Sequence, residues 1–283
     1  MSSTVDLHID AQKEYWALRE LPAFPAVTSH LLQLVSNPNA AVGQLVELLR
    51  SDPSLCAEIL RRANSAAYGL RAKVSSLHQG IMMLGFGQIR QLALVVSMGG
   101  YLHRALEIPT LRQCWRHTLA VAHLAESAAR HTSHGADQAY TAGMLHDIGL
   151  LGLMVHYPGE YANLLAVTRE HNFDLMTSER DLFDLDHCEA GAWLAEHWDF
   201  PPVIVDVAAA HHRPPAPGDA SLTALVHWAS RMSGALGFPL LGQAPPDAWQ
   251  SLRAELPPAL RDAFPEDGAP LAESIRSKVT ALE

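Results

Sequence analysis

Cysteine is scarce in this chain. There are three in 283 residues, Cys56, Cys114 and Cys188, odd in number and irregular in spacing. No CxxC pair occurs, which excludes a tetrathiolate zinc site and a disulfide framework; the thiols read as reduced, as in a cytoplasmic protein. Basic residues are also short, 20 against 30 acidic ones, for a net charge of −10 with no long basic run. That balance argues against a nucleic-acid partner held through its phosphates, although a local basic patch is compatible with it. Long apolar runs are missing too: the longest, Leu92 to Leu102, contains two glycines. It falls far short of the roughly 20 residues that span a bilayer, so no membrane partner is expected. The first residues, with Asp6, Asp10, Lys13 and Glu14, lack the pattern of a signal peptide. A cytoplasmic location follows as the expectation.

Strand alternation bounded by hairpin turns is almost absent, whereas helical spacing runs nearly everywhere. Apolar residues make up 48% of the chain, enough for a sizeable packed core. Val42, Leu45, Val46 and Leu49 mark one buried helix face. Asp52-Pro53 reads as an N-cap followed by proline at the first helical position, opening a helix through Ala63. Ser75 or Ser76 can cap the next helix, which Gly85 and Gly87 should interrupt before a further one from about 88 to 104. Asn64 to Gly69 looks like a capped helix end, and would serve equally as a recognition surface. Ile108-Pro109-Thr110 then divides this half from a second. There a long helix carries His117, and shorter helices are expected at about 136–146, 158–171, 175–183, 187–198 and 201–212. A last helix runs from Leu222 to about Leu236, before a proline-interrupted tail with room for short helices only. The fold class is all-α.

The chemistry concentrates at His146-Asp147, set among apolar and small residues from Ala142 to Leu150. A carboxylate in such surroundings needs a partner, because burying it unpaired costs several kcal/mol. A metal ion is one partner and a hydrogen-bond network is the other. Further histidines strengthen the metal reading: His117 upstream, then His187 and the pair His211-His212. Converging imidazoles with one carboxylate suit iron, manganese, zinc or nickel, as one ion or as two with Asp147 between them. Such a centre supports phosphate-ester hydrolysis, and Arg213 and Arg231 are the candidates for holding a phosphate. Asp186 and Glu189 flank His187, either to orient it or simply as acids favoured at a helix N-terminus. Cys188 reads as a packing residue.

Several segments together resemble the HDOD domain, an output-domain branch of the HD superfamily. They are Leu21 to Val27, Ser51 to Leu55, Arg62 to Gly69, Ile81 to Gly85, Trp115 to His117, Gly143 to Gly149, Asp186-His187 and His211 to Pro214. The resemblance spans about residues 21–236, in the expected order. It implies an N-terminal helical bundle packed on an HD-like helical subdomain. The expected organisation is an N-terminal extension over 1–20, the N-terminal helical half over 21–107, the HD-like half over 108–238, and a C-terminal extension of short helices over 239–283.

It also implies that His117, His146 and Asp147 match the HD metal positions. His187, His211 and His212 resemble the additional histidines of the two-metal HD-GYP branch. The chain departs from the active pattern in three places. Ser230 stands where a distal aspartate is expected, Leu150 where a lysine often follows, and Arg213-Pro214-Pro215 where a Gly-Tyr-Pro signature would be. Losing a negative ligand weakens a cation site. The expectation is therefore a bacterial signalling or regulatory module, without catalysis and with a retained metal site. Its partner would be a signalling protein, and a homodimer stays open. The alternative is a metal-dependent phosphohydrolase acting on a nucleotide or cyclic dinucleotide. An iron-based redox or gas sensor is a third reading.

Overall fold

The structure, a computed structural model, describes residues 16–18, 30, 42–50, 53–65, 74–241 and 248–282. Every regular element among the described residues is helical, as the apolar spacing requires. The chain divides into two units. One comprises residues 23–103 with 198–200, and the other comprises 1–22, 104–197 and 201–283.

In the smaller unit, helices α1 (Val42–Arg50) and α2 (Pro53–Ala63) pack on the long α3 (Leu77–Leu102). Leu45, Leu49, Leu55 and Ile59 are fully buried, so the faces read from the sequence are the core faces. Ser76 caps α3 by accepting from the Gln79 N–H at 3.1 Å. Gly85, at φ 78° and ψ 161°, breaks the helical path inside α3 in a region essentially reserved for glycine. Only Gly85 interrupts the helix; Gly87 lies within its helical path, and α3 ends at Leu102 instead of near 104. The Asn64 amide ties the end of α2 to Val74: its nitrogen donates to the Leu60 and Val74 carbonyls, and its oxygen accepts from the Val74 N–H. That gives Asn64 a structural task; Asp52 and residues 66–69, where a cap and a recognition surface were expected, lie outside the described residues. By length and composition α3 is apolar enough to cross a membrane, yet 56% of its most apolar window is buried within the fold.

The larger unit is built around α4 (Pro109–Ala129), which opens on Pro109. Against it pack α5 (Ala136–Leu145) and α11 (Leu222–Ala235). Between these in sequence come α6 (Ile148–His156), α7 (Pro158–His171), α8 (Leu175–Phe183), α9 (His187–His197) and α10 (Pro202–Ala210). The sequence reading did not anticipate α6. Residues 148–154 are all buried, so this helix has no polar face and no amphipathic period to betray it. The tail forms α12 (Ala248–Glu255), α13 (Pro258–Ala263) and α14 (Ala269–Thr280). At twelve residues α14 is longer than expected, and it packs on α4 while burying Ile275 and Val279.

Helix α9 approaches α6 so closely that residue 149 must be glycine. A Cβ there would lie 2.1 Å from the His187 carbonyl oxygen and 2.3 Å from the Gly191 nitrogen. Both are backbone atoms and neither can step aside. Gly149→Ala should therefore lower unfolding stability by at least about 3 kcal/mol. Gly85→Ala, where only the backbone region is wrong, should cost about 1–3 kcal/mol. Urea melts of both variants check the order; equal stability of Gly149→Ala and the parent chain would contradict the packing.

Candidate metal centre

The side chains singled out in the sequence stand at helix ends of the larger unit. His146 follows the last residue of α5, and Asp147 precedes the first of α6. His187 opens α9, and His211-His212 follow α10. His117 comes from the middle of α4. Helices α5, α9 and α10 end at Leu145, His197 and Ala210, short of the bounds expected at 146, 198 and 212.

Four of the imidazoles are oriented in the same manner. His117 Nδ1 lies 2.7 Å from the Phe238 carbonyl oxygen and His146 Nδ1 lies 2.7 Å from that of Gly143. His211 Nδ1 faces the Val207 and Ala208 carbonyls at 3.2 and 3.1 Å. His187 Nδ1 is 2.6 Å from a Glu179 carboxylate oxygen. Carbonyls and carboxylates only accept, so each Nδ1 carries the proton and each Nε2 is free to ligate. This is how metal-ligating histidines are held.

The freed nitrogens gather around Asp147. His146 Nε2 lies 3.2 Å from one carboxylate oxygen; His211 Nε2 lies 3.1 Å and His187 Nε2 lies 3.9 Å from the other. All of these residues are buried, yet His146 Nε2, His211 Nε2 and both Asp147 oxygens lack a hydrogen bond. Contact distances without hydrogen-bond alignment are what ligand atoms show when they face a common point instead of one another. Ligand atoms of His117, His146 and Asp147 lie within 4.8 Å of each other, as do those of His187, Cys188, His211 and His212. The donor set fits a transition-metal ion.

The electrostatics divide the centre. Burial would raise the Asp147 pKa, but the His146 and His211 imidazoles outweigh it and hold the carboxyl well below its ordinary value. Burial likewise opposes protonation of His187 and His211. Glu179 nevertheless carries His187 well up, and Cys188 with Asp147 carries His211 up to about 10. His117 is pushed down to about 4 by burial. His212 is pushed down to about 2, by desolvation of its ring and then by the charges of His211 and His187. By surface area His212 is an exposed residue, and its Nε2 meets that of His187 at 2.9 Å.

Not every expectation holds in the geometry. Arg231 pairs with Glu255 at 2.7 Å and lies over the Trp228 ring, so its charge is already engaged. Arg213 is exposed. Asp186 and Glu189 do not orient His187: each accepts from the other's backbone N–H, at 2.8 and 2.9 Å, in a reciprocal cap of α9. One residue, Glu179, was overlooked, and Cys188, read as a packing residue, lies beside the site. Glu179 orients His187 and also accepts from its backbone N–H at 2.9 Å and from the Tyr161 hydroxyl. It lies four residues from Leu175 and four from Phe183, an acid in the buried stripe of α8, and that interruption is its sequence signal. Cys188 stands beside the imidazoles, with Sγ 4.0 Å from His211 Nδ1.

Imidazoles converging on a buried aspartate from several helix ends make this helical unit a candidate metal-binding domain. The HDOD domain profile matches residues 21–214. The chain belongs to the HDOD domain family. An HDOD domain protein of unknown function from Geobacter sulfurreducens shares the fold, with a TM-score of 0.75, 24% identity, and 94% of this chain and 93% of that one covered. A protein from Shewanella amazonensis, whose name proposes a phosphohydrolase, has a TM-score of 0.67 and 25% identity, over 95% of this chain and 97% of that one. One from Marinobacter aquaeolei, whose name proposes signal transduction, has a TM-score of 0.69 and 23% identity, covering 93% of this chain and 60% of that one. An uncharacterized protein of Treponema pallidum is 23% identical over 198 residues; the match spans 69% of this chain and 38% of that relative's length.

Glu179→Ala would strand the His187 Nδ1–H, its backbone N–H and the Tyr161 hydroxyl in the interior. A loss of about 3–5 kcal/mol is expected. Tyr161→Phe removes one donor to Glu179 and should cost about 1–3 kcal/mol. Denaturant titration measures both, and a smaller loss for Glu179→Ala than for Tyr161→Phe would refute the assigned hub.

Proposed function

We propose that this chain is a regulatory HDOD module whose His/Asp centre holds a transition-metal ion for structure or sensing, without turnover. The observation that carries the metal is that His146, His187 and His211, each with Nδ1 tied, face with Nε2 a buried Asp147 whose oxygens lack hydrogen bonds, with His117 tied in the same way beside them. His117, His146 and Asp147 hold one ion, with His187, His211 and His212 at a second position. Iron, manganese, zinc and nickel all suit these donors. Bound there, such an ion acts as a Lewis acid toward oxygen ligands.

Ser230 supports the regulatory reading. Its hydroxyl lies 3.4 Å from His117 Nε2, so the α11 side of the centre offers a neutral group where the active HD pattern has a carboxylate. A site with one negative ligand fewer holds a second cation less tightly. The module acts through a signalling protein partner in a cytoplasmic setting, as a monomer or a homodimer. The alternative, a metal-dependent phosphohydrolase acting on a nucleotide or cyclic dinucleotide, draws on the imidazole-rich centre and on the Shewanella amazonensis relative.

Elemental mass spectrometry on untagged protein, purified without chelator, tests the reading. About one or two equivalents of metal are expected, falling below about a tenth in His146→Ala and Asp147→Ala with helicity retained. Metal-free parent protein, even after soaking, would defeat the metal reading. The loaded protein should leave cyclic dinucleotides and other phosphodiesters intact; turnover that disappears in His146→Ala would establish the hydrolase instead.

A further inference from the structure

We infer that Cys188 is a metal ligand, whose thiolate joins His187, His211 and His212 in a second cation position selective for thiophilic ions such as zinc and cobalt(II). The inference rests on the metal reading above and adds to it a donor of a different chemical class.

The environment of Cys188 differs from those of the other cysteines. Cys56 Sγ donates to the Leu49 carbonyl at 3.2 Å and Cys114 Sγ to the Thr110 carbonyl at 3.7 Å, as packing thiols do. Cys188 is the second residue of α9, adjacent to His187, and is buried against the His211 ring. Each of the four side chains brings one ligand atom within 4.8 Å of the others. The pair at the closest approach, His187 Nε2 and His212 Nε2, is 2.9 Å apart. A tetrahedral zinc ion, with bonds of about 2.3 Å to sulfur and about 2.0–2.1 Å to nitrogen, sets its ligand atoms roughly 3.3–3.6 Å from one another. The His187–His212 spacing falls just short of that range, and the 4.8 Å within which all four ligand atoms lie exceeds it.

Three further facts point inward to an ion. His211 Nε2 is buried without a hydrogen bond. Glu179 fixes the His187 ring from behind, leaving its Nε2 directed at the group. Asp147, whose carboxylate lies 3.1 Å from His211 Nε2 and 3.9 Å from His187 Nε2, stands between this position and the one at His117 and His146. His212 is exposed and supplies the solvent side from which an ion enters. Thiolate in place of a further oxygen ligand turns the preference away from magnesium and calcium.

Cobalt(II) titration of the full-length apoprotein under reducing, oxygen-free conditions is the test, because thiolate–cobalt charge transfer absorbs in the near ultraviolet. The parent chain should develop that band to saturation. Cys188→Ser should lose it and bind cobalt at least about tenfold more weakly, whereas Cys114→Ser should keep it. Cobalt bound with no thiolate band, or an undiminished band in Cys188→Ser, would overturn the ligand assignment while leaving the His/Asp centre standing. No cobalt binding at all would overturn both. A second measurement covers a Cys188→Ser chain that does not fold: zinc should slow iodoacetamide alkylation of Cys188 in the parent protein at least about tenfold, and an unchanged rate would refute the assignment.

Discussion

The larger unit depends on what surrounds one buried carboxylate. Asp147 has lost its water, and neither of its oxygens receives a hydrogen bond. A charge in that condition is tolerable only beside compensating cations. The compensation comes from imidazoles delivered by α4, the α5–α6 junction, α9 and the end of α10, so the arrangement of these helices and the electrostatics of the centre are one problem. His146, His187 and His211 turn their Nε2 lone pairs to the carboxylate. A cation would use the same lone pairs. Gly149 admits α9 to within backbone contact of α6, and this close approach brings His187 near the carboxylate.

Around this core lies a layer that fixes direction. The Phe238, Gly143, Val207 and Ala208 carbonyls and the Glu179 carboxylate each receive a ring N–H. The Ser233 hydroxyl also donates to Phe238, which braces that carbonyl in turn. His227 reaches the His211 carbonyl from α11 at 2.8 Å and steadies the end of α10.

Much of this was legible in the sequence. Helical periodicity revealed the class of fold, and the His-Asp pair in an apolar turn revealed the centre, because both signals are local. Helix α6 escaped because a helix buried on every side has no polar phase to read. Glu179 escaped because its meaning lies in three dimensions: an acid in the Leu175–Phe183 stripe is an anomaly whose partner, His187, belongs to the next helix. Cys188 escaped for a related reason. Beside a histidine a lone thiol has no spacing rule, and only the approach of His211 and His212 separates it from a packing residue. Arg231, a phosphate candidate in the sequence, pairs in space with Glu255 and lies over Trp228, contacts that no spacing rule announces.

The matched family region ends at residue 214, but the centre does not. Ser230, Ser233 and the Phe238 carbonyl all lie beyond that limit and converge on His117, and Gln113 one turn earlier donates to the Pro239 carbonyl at 3.0 Å. The stretch from α11 to Pro239 therefore belongs to the centre as much as the matched region does. Exchanging α11 and its turn would alter the charge and the rigidity around His117 while leaving His146, Asp147, His187, His211 and His212 in place.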